Sequence, residues 1–402
     1  MTTRLFVATL VLLGALPGHG RPATAQLDES LLDPAYPEMR LWAAAGANLP
    51  VPGLASRTEI RLRPGEDLAA AVAVPNRIVR LEAGVYRVTD AVVFADNVIL
   101  RGASPFQTKL ILKMRGERPT ATKGKPLPWT TGLLLENISG SGVENLSVQF
   151  EERSINALNL VRSPNDDSNQ QQQVEGSFPP PPDPRLRARG YVDDPDGQKD
   201  LHVVAVRFSG SRQCWLANVV IRNSGQHPIL LESSNHLTLQ NVEVSGTYNK
   251  GADSGSLRIS GCEYCLLSGL TVADINHVSL GNDSFGHPSR FNVIQDSRLA
   301  VDLRIRDPET SGNLIQGCEI AVPAWHSFPP ISLDWDGAKP ISAQPNVLYF
   351  CTITRDFITE RSRFSIADNP NQVYQIRANS ATRGNVEVLG PAPKYSTLRP
   401  VR

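Results

Sequence analysis

The sequence has no excess of either charge, few cysteines, and only one strongly apolar run. Forty Lys and Arg side chains balance forty Asp and Glu in 402 residues. Proteins that hold nucleic acid usually carry a basic surplus that displaces counterions from phosphate, so the balance argues against that class. Any electrostatic steering must be local. The apolar run, residues 5–16, is shorter than the roughly 20 residues a helix needs to cross a bilayer, and no membrane span is expected. Five cysteines are an odd number, so at least one thiol stays free. Cys262 and Cys265 form a CxxC with no second Cys pair or His pair at zinc-site spacing, and read as small buried residues in a turn.

The N-terminus reads as a secretory signal. Arg4 precedes the apolar run, Pro17 follows it, and Ala23-Thr24-Ala25 supplies an A-x-A site, so residues 1–25 are expected to be cleaved before Gln26. No Cys follows the run as a lipid anchor requires. The predicted location is secreted or periplasmic. Residues 26–59, rich in Pro and Ala, are expected to form an arm.

The next segment changes character. Glu66-Asp67 ahead of Leu68-Ala69-Ala70-Ala71-Val72 marks a short helix start. From Ile78 onward, β-branched runs alternate with Gly, Asn and Asp, the pattern of short strands. A motif of an apolar residue, one further position, Asn, Asp or Gly, and an alternating strand occurs at Val143, Leu216 and Leu239, with weaker copies at Leu267, Ile294, Ile315 and Leu348. From Leu216 the offsets are roughly 23, 28, 27, 21 and 33 residues. A variable period of this size without intervening helices predicts an all-β solenoid, a right-handed parallel β-helix over residues 60–385, with a C-terminal tail at 386–402. The helix would cap the open apolar end of the first coil. Asn145, Asn218 and Asn241 would stack as a turn ladder. Cys318 and Cys351 fall at equivalent places in successive coils, as stacked thiols or a disulfide, thiols preferred. Residues 115–130 and 162–200, rich in Pro, Gln, Asp and Gly, read as long loop insertions.

These segments carry a resemblance. Pro64-Gly65-Glu66-Asp67-Leu68, then Leu81-Glu82-Ala83-Gly84-Val85-Tyr86, then Asn97-Val98-Ile99-Leu100-Arg101-Gly102 resemble the opening of the pectin-lyase-like right-handed β-helix superfamily. The resemblance implies exported carbohydrate-active proteins, and leaves the reaction open. The Asn-Thr-Asp, Asp-Asp and Gly-His-Gly segments of the polygalacturonase branch are absent. Gly255-Ser256-Leu257-Arg258-Ile259-Ser260-Gly261 is similar to the region around the catalytic Arg of alginate-lyase-like β-helices. One coil earlier, where that group carries a catalytic Lys, this sequence holds Glu232.

A second strand column can be aligned independently. Val206/Phe208, Ile229/Leu231, Leu257/Ile259, Val278/Leu280, Leu303/Ile305 and Ile331/Leu333 point inward, which sends Arg207, Leu230, Arg258, Ser279, Arg304 and Ser332 outward. The next outward row is Ser209, Glu232, Ser260, Gly281, Arg306 and Asp334. Such a face either holds an acidic polymer on Arg207, Arg258, Arg304 and Arg306, or is a solvated face with its arginines paired to Glu232 and Asp334. His277 precedes one strand and Asp302 holds the same place one coil on, so the carboxylate is placed to orient the imidazole. Tyr248, Asn249 and Lys250 lie on a Gly-rich loop just before Arg258.

β-Elimination from a uronate needs a cation for the carboxylate and a base for the proton beside it. Arg258 and Arg304 suit the first role, and Lys250, His277 or Tyr248 the second. Substrate contacts are expected from Arg207, Asn249, Asp302, Arg304, Arg306, Glu232 and Asp334. The expected partner is an acidic polysaccharide. Alternatives are a hydrolase using Glu232 with Asp302 or Asp334, and a non-catalytic glycan-binding or surface-matrix protein. Calcium would need several oxygen ligands. Asp253, Asp302 and Glu232 are scattered and Asp194 and Asp196 lie in the 162–200 insertion, so no metal or cofactor is predicted. Oligomeric state is not readable.

Overall fold

The computed structural model describes residues 32, 38–48, 55–114, 116, 127–150, 202–247, 255–322, 330–333, 346–355, 372–373, 376–378 and 398–399. The proposed signal, the 162–200 insertion, and Tyr248, Asn249, Lys250 and Asp334 lie outside these residues.

Every strand pairing among the described residues is parallel, as a coiling chain requires when each turn lies on the one before. One sheet holds eight strands that pair in chain order. They are β1 (Val92–Val93), β2 (Thr130–Glu136), β3 (Val203–Ser209), β4 (Ile229–Glu232), β5 (Leu257–Ser260), β6 (Val278–Gly281), β7 (Leu303–Ile305) and β8 (Ile331–Leu333). The remaining strands form a larger sheet that bends within each coil. The architecture is a right-handed parallel β-helix. The bend falls where a residue adopts the left-handed conformation: Asn145 (φ 55), Asn218 (φ 54), Asn241 (φ 52), Gly269 (φ 66), Asp296 (φ 50) and Gly317 (φ 61). Asn, Asp and Gly tolerate that region best. The asparagines stack, with Asn218 Nδ2 donating to Asn145 Oδ1 at 2.7 Å.

The repeat motif lands in register. Leu216 pairs with Val143 and Leu239, and the column continues through Leu267, Ile294, Ile315 and Leu348. All seven are buried in one continuous core. α2 (Leu68–Val72), with α1 (Met39–Ala43) before it, is capped by Asp67, whose Oδ1 accepts from the Ala70 N–H at 2.9 Å. Its Leu68, Ala71 and Val72 join the core at the first coil. A buried polar ladder runs through the last coils. Asn292 Nδ2 donates to Asn313 Oδ1 (2.9 Å), and Asn313 Nδ2 to Asn346 Oδ1 (2.8 Å), so these amides satisfy one another inside the coil. All five cysteines are free and buried, Cys318 and Cys351 included. Burial pushes the Cys214 thiol up to about 12.

The segment before the first coil crosses the outside of the solenoid. Met39, Trp42 and Ala45 pack on Val293, Leu314, Val347, Tyr349 and Leu398, a cluster separate from the main core. Trp42 Nε1 donates to the Gly312 carbonyl at 2.7 Å. The chain then meets successively earlier coils: Gly46 N–H to Tyr264 O (2.8 Å), Ala47 N–H to Thr238 Oγ1 (2.7 Å), Asn48 N–H to Gln213 Oε1 (2.6 Å) and Arg57 to Gly140 O (3.0 Å).

Candidate active site

The outer face of the eight-stranded sheet follows the alternation of its sequence. Arg207 pairs with Leu230, Leu230 with Arg258, Arg258 with Ser279, Ser279 with Arg304, and Arg304 with Ser332. Val206, Phe208, Leu257, Ile259, Val278, Leu280, Leu303 and Ile305 fill the core beneath. Ser260 follows Glu232, and Gly281 follows Ser260. Arg306 lies across Gly281, where an added Cβ would stand 2.7 Å from the Arg306 Cβ, so the bare glycine gives the arginine its seat.

The structure brings three of the expected residues into one chain of contacts. His277 Nδ1 lies 2.6 Å from Asp302 Oδ1, and His277 Nε2 lies 2.9 Å from an Arg304 guanidinium nitrogen. A guanidinium only donates, so Nε2 carries the lone pair and the proton sits on Nδ1, directed at Asp302. These two contacts select one tautomer and one orientation of the imidazole. Arg258 stands two coils from Arg304, with Ser279 between them, and its Nε donates to Ser260 Oγ at 2.9 Å. The Ser279 hydroxyl is buried and has no hydrogen-bond partner. Arg258, Arg304 and Arg306 are partly exposed.

Arg207 and Glu232, expected among the substrate contacts, are buried and close on each other, the kind of Arg–Glu232 pairing that the alternative reading of this face gave: Arg207 Nε and a terminal nitrogen both stand 2.8 Å from Glu232 Oε2. The side chains are only 6% and 8% exposed. They lie on neighbouring strands one row apart, within reach of a long arginine. His277 and Asp302 also leave the surface, their side chains 2% and 0% exposed. Alternation set the side of the sheet on which Arg207 and Glu232 stand, but not how deeply neighbouring side chains cover them.

The sequence reading missed a cleft of about 170 Å³ beside this strip, lined by Glu136, Asn137, Ser209, Glu232, Ser233 and Phe285 among others. Glu136 pairs with Ser209, and Ser209 with Glu232, so it extends the second outward row by one coil. Carrying the alternation back to residues 130–136 would have found it. Asp283 closes one wall, where its carboxylate accepts from Ser233 Oγ (2.7 Å) and from the backbone N–H groups of Phe285 and His287 (2.9 Å each), and meets His287 Nδ1 (3.0 Å). Burial alone would raise the Asp283 pKa, but these hydrogen bonds outweigh it and hold the carboxyl below the usual aspartate range. Among the described residues, no group of three or more His, Cys, Asp or Glu side chains is placed to hold a metal ion.

No protein-family model matches the chain, and no curated protein sequence matches it. Solved structures do match. The catalytic domain of a GH87 α-1,3-glucanase in complex with nigerose is 14% identical, with a TM-score of 0.45, over 78% of this chain and 48% of the glucanase chain. The chain therefore spans about half the length of that neighbour. A pectin methylesterase in complex with a hexasaccharide is 10% identical (TM-score 0.42), over 83% of this chain and 92% of the other. An exopolygalacturonase from Thermotoga maritima is 13% identical (TM-score 0.37), over 71% and 77%. The likeness is one of fold.

Proposed function

We propose that the chain is an exported enzyme that cleaves an acidic, uronate-containing polysaccharide by β-elimination on the outer face of the eight-stranded sheet. The observation that carries this reading is the Asp302–His277–Arg304 chain with Arg258 two coils away. Asp302 fixes the proton on Nδ1 and raises the basicity of Nε2. Arg304 occupies Nε2 in the unliganded protein, where a substrate carboxylate competes for it. As Arg304 leaves Nε2 and with Arg258 takes the carboxylate, Nε2 is free to accept the proton on the adjacent carbon. That C–H pair becomes the new C=C bond and the glycosidic C–O bond breaks. The departing oxygen takes its proton from the imidazolium just formed. The arginines stabilise the charge that develops on the carboxylate. Export rests on the signal-like residues 1–25.

Hydrolysis by Glu232 with Asp302 fits the geometry less well. β4 and β7 are three coil steps apart, roughly 14 Å at the strand spacing, beyond the about 5–9.5 Å that a glycosidase pair spans. Each carboxylate also already faces a basic partner, Arg207 or His277.

The test is a screen of the purified chain on polygalacturonate, alginate and glucuronan, reading the ultraviolet absorbance of unsaturated products together with new reducing ends. Turnover with absorbance is expected, and His277→Gln should lower kcat about 10²- to 10⁴-fold with KM little changed. Reducing ends without absorbance would overturn elimination in favour of hydrolysis. Binding without turnover would leave a glycan-holding protein.

A further inference from the structure

We infer that the cleft beside the cationic strip is a subsite for one neutral sugar ring, so that the polymer is a heteroglycan in which a neutral residue neighbours the acidic one. This rests on the reading that the arginine-bearing face holds an acidic glycan. Three properties of the cavity carry it.

The first is size. About 170 Å³ is smaller than the roughly 300 Å³ at the low end of small-molecule sites, and suits a single ring rather than a longer chain. The second is chemistry. The lining carries the Asn137 amide, the Ser209 and Ser233 hydroxyls and the exposed Glu136 carboxylate, and includes no Lys, Arg or His; the Glu232 carboxylate, which also lines it, is paired with Arg207. A uronate carboxylate would meet the like charge of Glu136 here, whereas neutral hydroxyls donate to that carboxylate and accept from the amide. The third is an aromatic wall. Phe285 is 50% exposed, one of few large hydrophobic side chains left open among the described residues. Its ring lies 6.0 Å from that of His287 at 30°, a pair of near-parallel faces at the mouth.

That wall is held in place. Asp283 accepts the backbone N–H groups of both Phe285 and His287, and seats against Gly261, where an added Cβ would approach its carboxylate to 2.7 Å. The loop is thus braced with its apolar ring directed outward, ready to stack on the C–H face of a pyranose. Glu232 and Arg258 lie on adjacent strands in neighbouring outward rows. The cleft and the strip therefore stand within one or two coil spacings, roughly 5–10 Å, along the direction a polymer would follow.

The experiment is saturation-transfer NMR on the full chain with neutral trisaccharides as probes: cellotriose, maltotriose, laminaritriose and mannotriose. At least one should receive saturation at its C–H protons, and Phe285→Ala should weaken its binding about tenfold. Glu136→Gln should weaken it as well. Both Phe285 and Glu136 are exposed, and circular dichroism checks that each variant keeps its fold. Transfer to none of the probes, or transfer indifferent to Phe285→Ala, would overturn the subsite. The elimination reading is scored separately: acidic glycans left uncleaved while neutral probes bind at the cleft would sink that reading and leave the subsite standing.

Discussion

Replacing Arg207 with Met tests whether the Arg207–Glu232 pair is a fixed part of the scaffold. Both side chains are nearly sealed, at 6% and 8% exposure, with two nitrogen–oxygen distances of 2.8 Å. Charge centres about 4 Å apart attract by about 4 kcal/mol at an effective dielectric near 20. Removing one partner also strands the other without compensation, and buried pairs broken in this way lose about 3–5 kcal/mol. Arg207→Met should therefore cost about 4 kcal/mol. The double change Arg207→Met, Glu232→Leu should recover most of it, because an apolar pair of similar volume next to Leu230 removes both the attraction and the cost of burying charge. Urea unfolding followed by tryptophan fluorescence measures this, with five tryptophans as reporters. A single-variant cost under about 1 kcal/mol, typical of solvated pairs, would refute the burial argument. So would a double variant no more stable than the single.

Two further outcomes follow from the packing. Trp42→Ala removes a fully buried indole and its 2.7 Å hydrogen bond to Gly312, and should cost about 3–5 kcal/mol in the same urea assay. A thiol-specific reagent should find no reactive cysteine in the folded protein and five after denaturation, since all five are free and buried; fewer than five would reveal a disulfide.

The coil register was legible because two simple rules coincide in this chain. Alternation separates Val278 and Leu280 from Ser279, and the left-handed bend selects Asn, Asp or Gly at a fixed place after each apolar anchor. Phe350 breaks the second rule, adopting φ 53 with a bulky side chain, and only the anchor Leu348 marked its coil. The neighbourhood of His277 and Asp302 was also readable, from equal positions on consecutive coils. Burial was not. Nothing in the alternation of Arg207 and Glu232 says that the two reach each other one row apart and lose contact with water. The Asp283 loop was equally opaque, because its hydrogen bonds run to backbone groups and to Ser233, which carry no periodic signal.

A stack of coils is ordinarily a one-dimensional object, free to fray from either end because each turn touches only its neighbours. The stretch from Met39 to Asn48 changes that. Residues 39–48 meet successively earlier coils, from Gly312 to Gln213, and Arg57 reaches the Gly140 carbonyl. Late turns cannot peel away without also tearing loose a segment made long before them. The same strap delays completion of folding, since its first residues find their seat only after the chain has emerged some 270 residues further on.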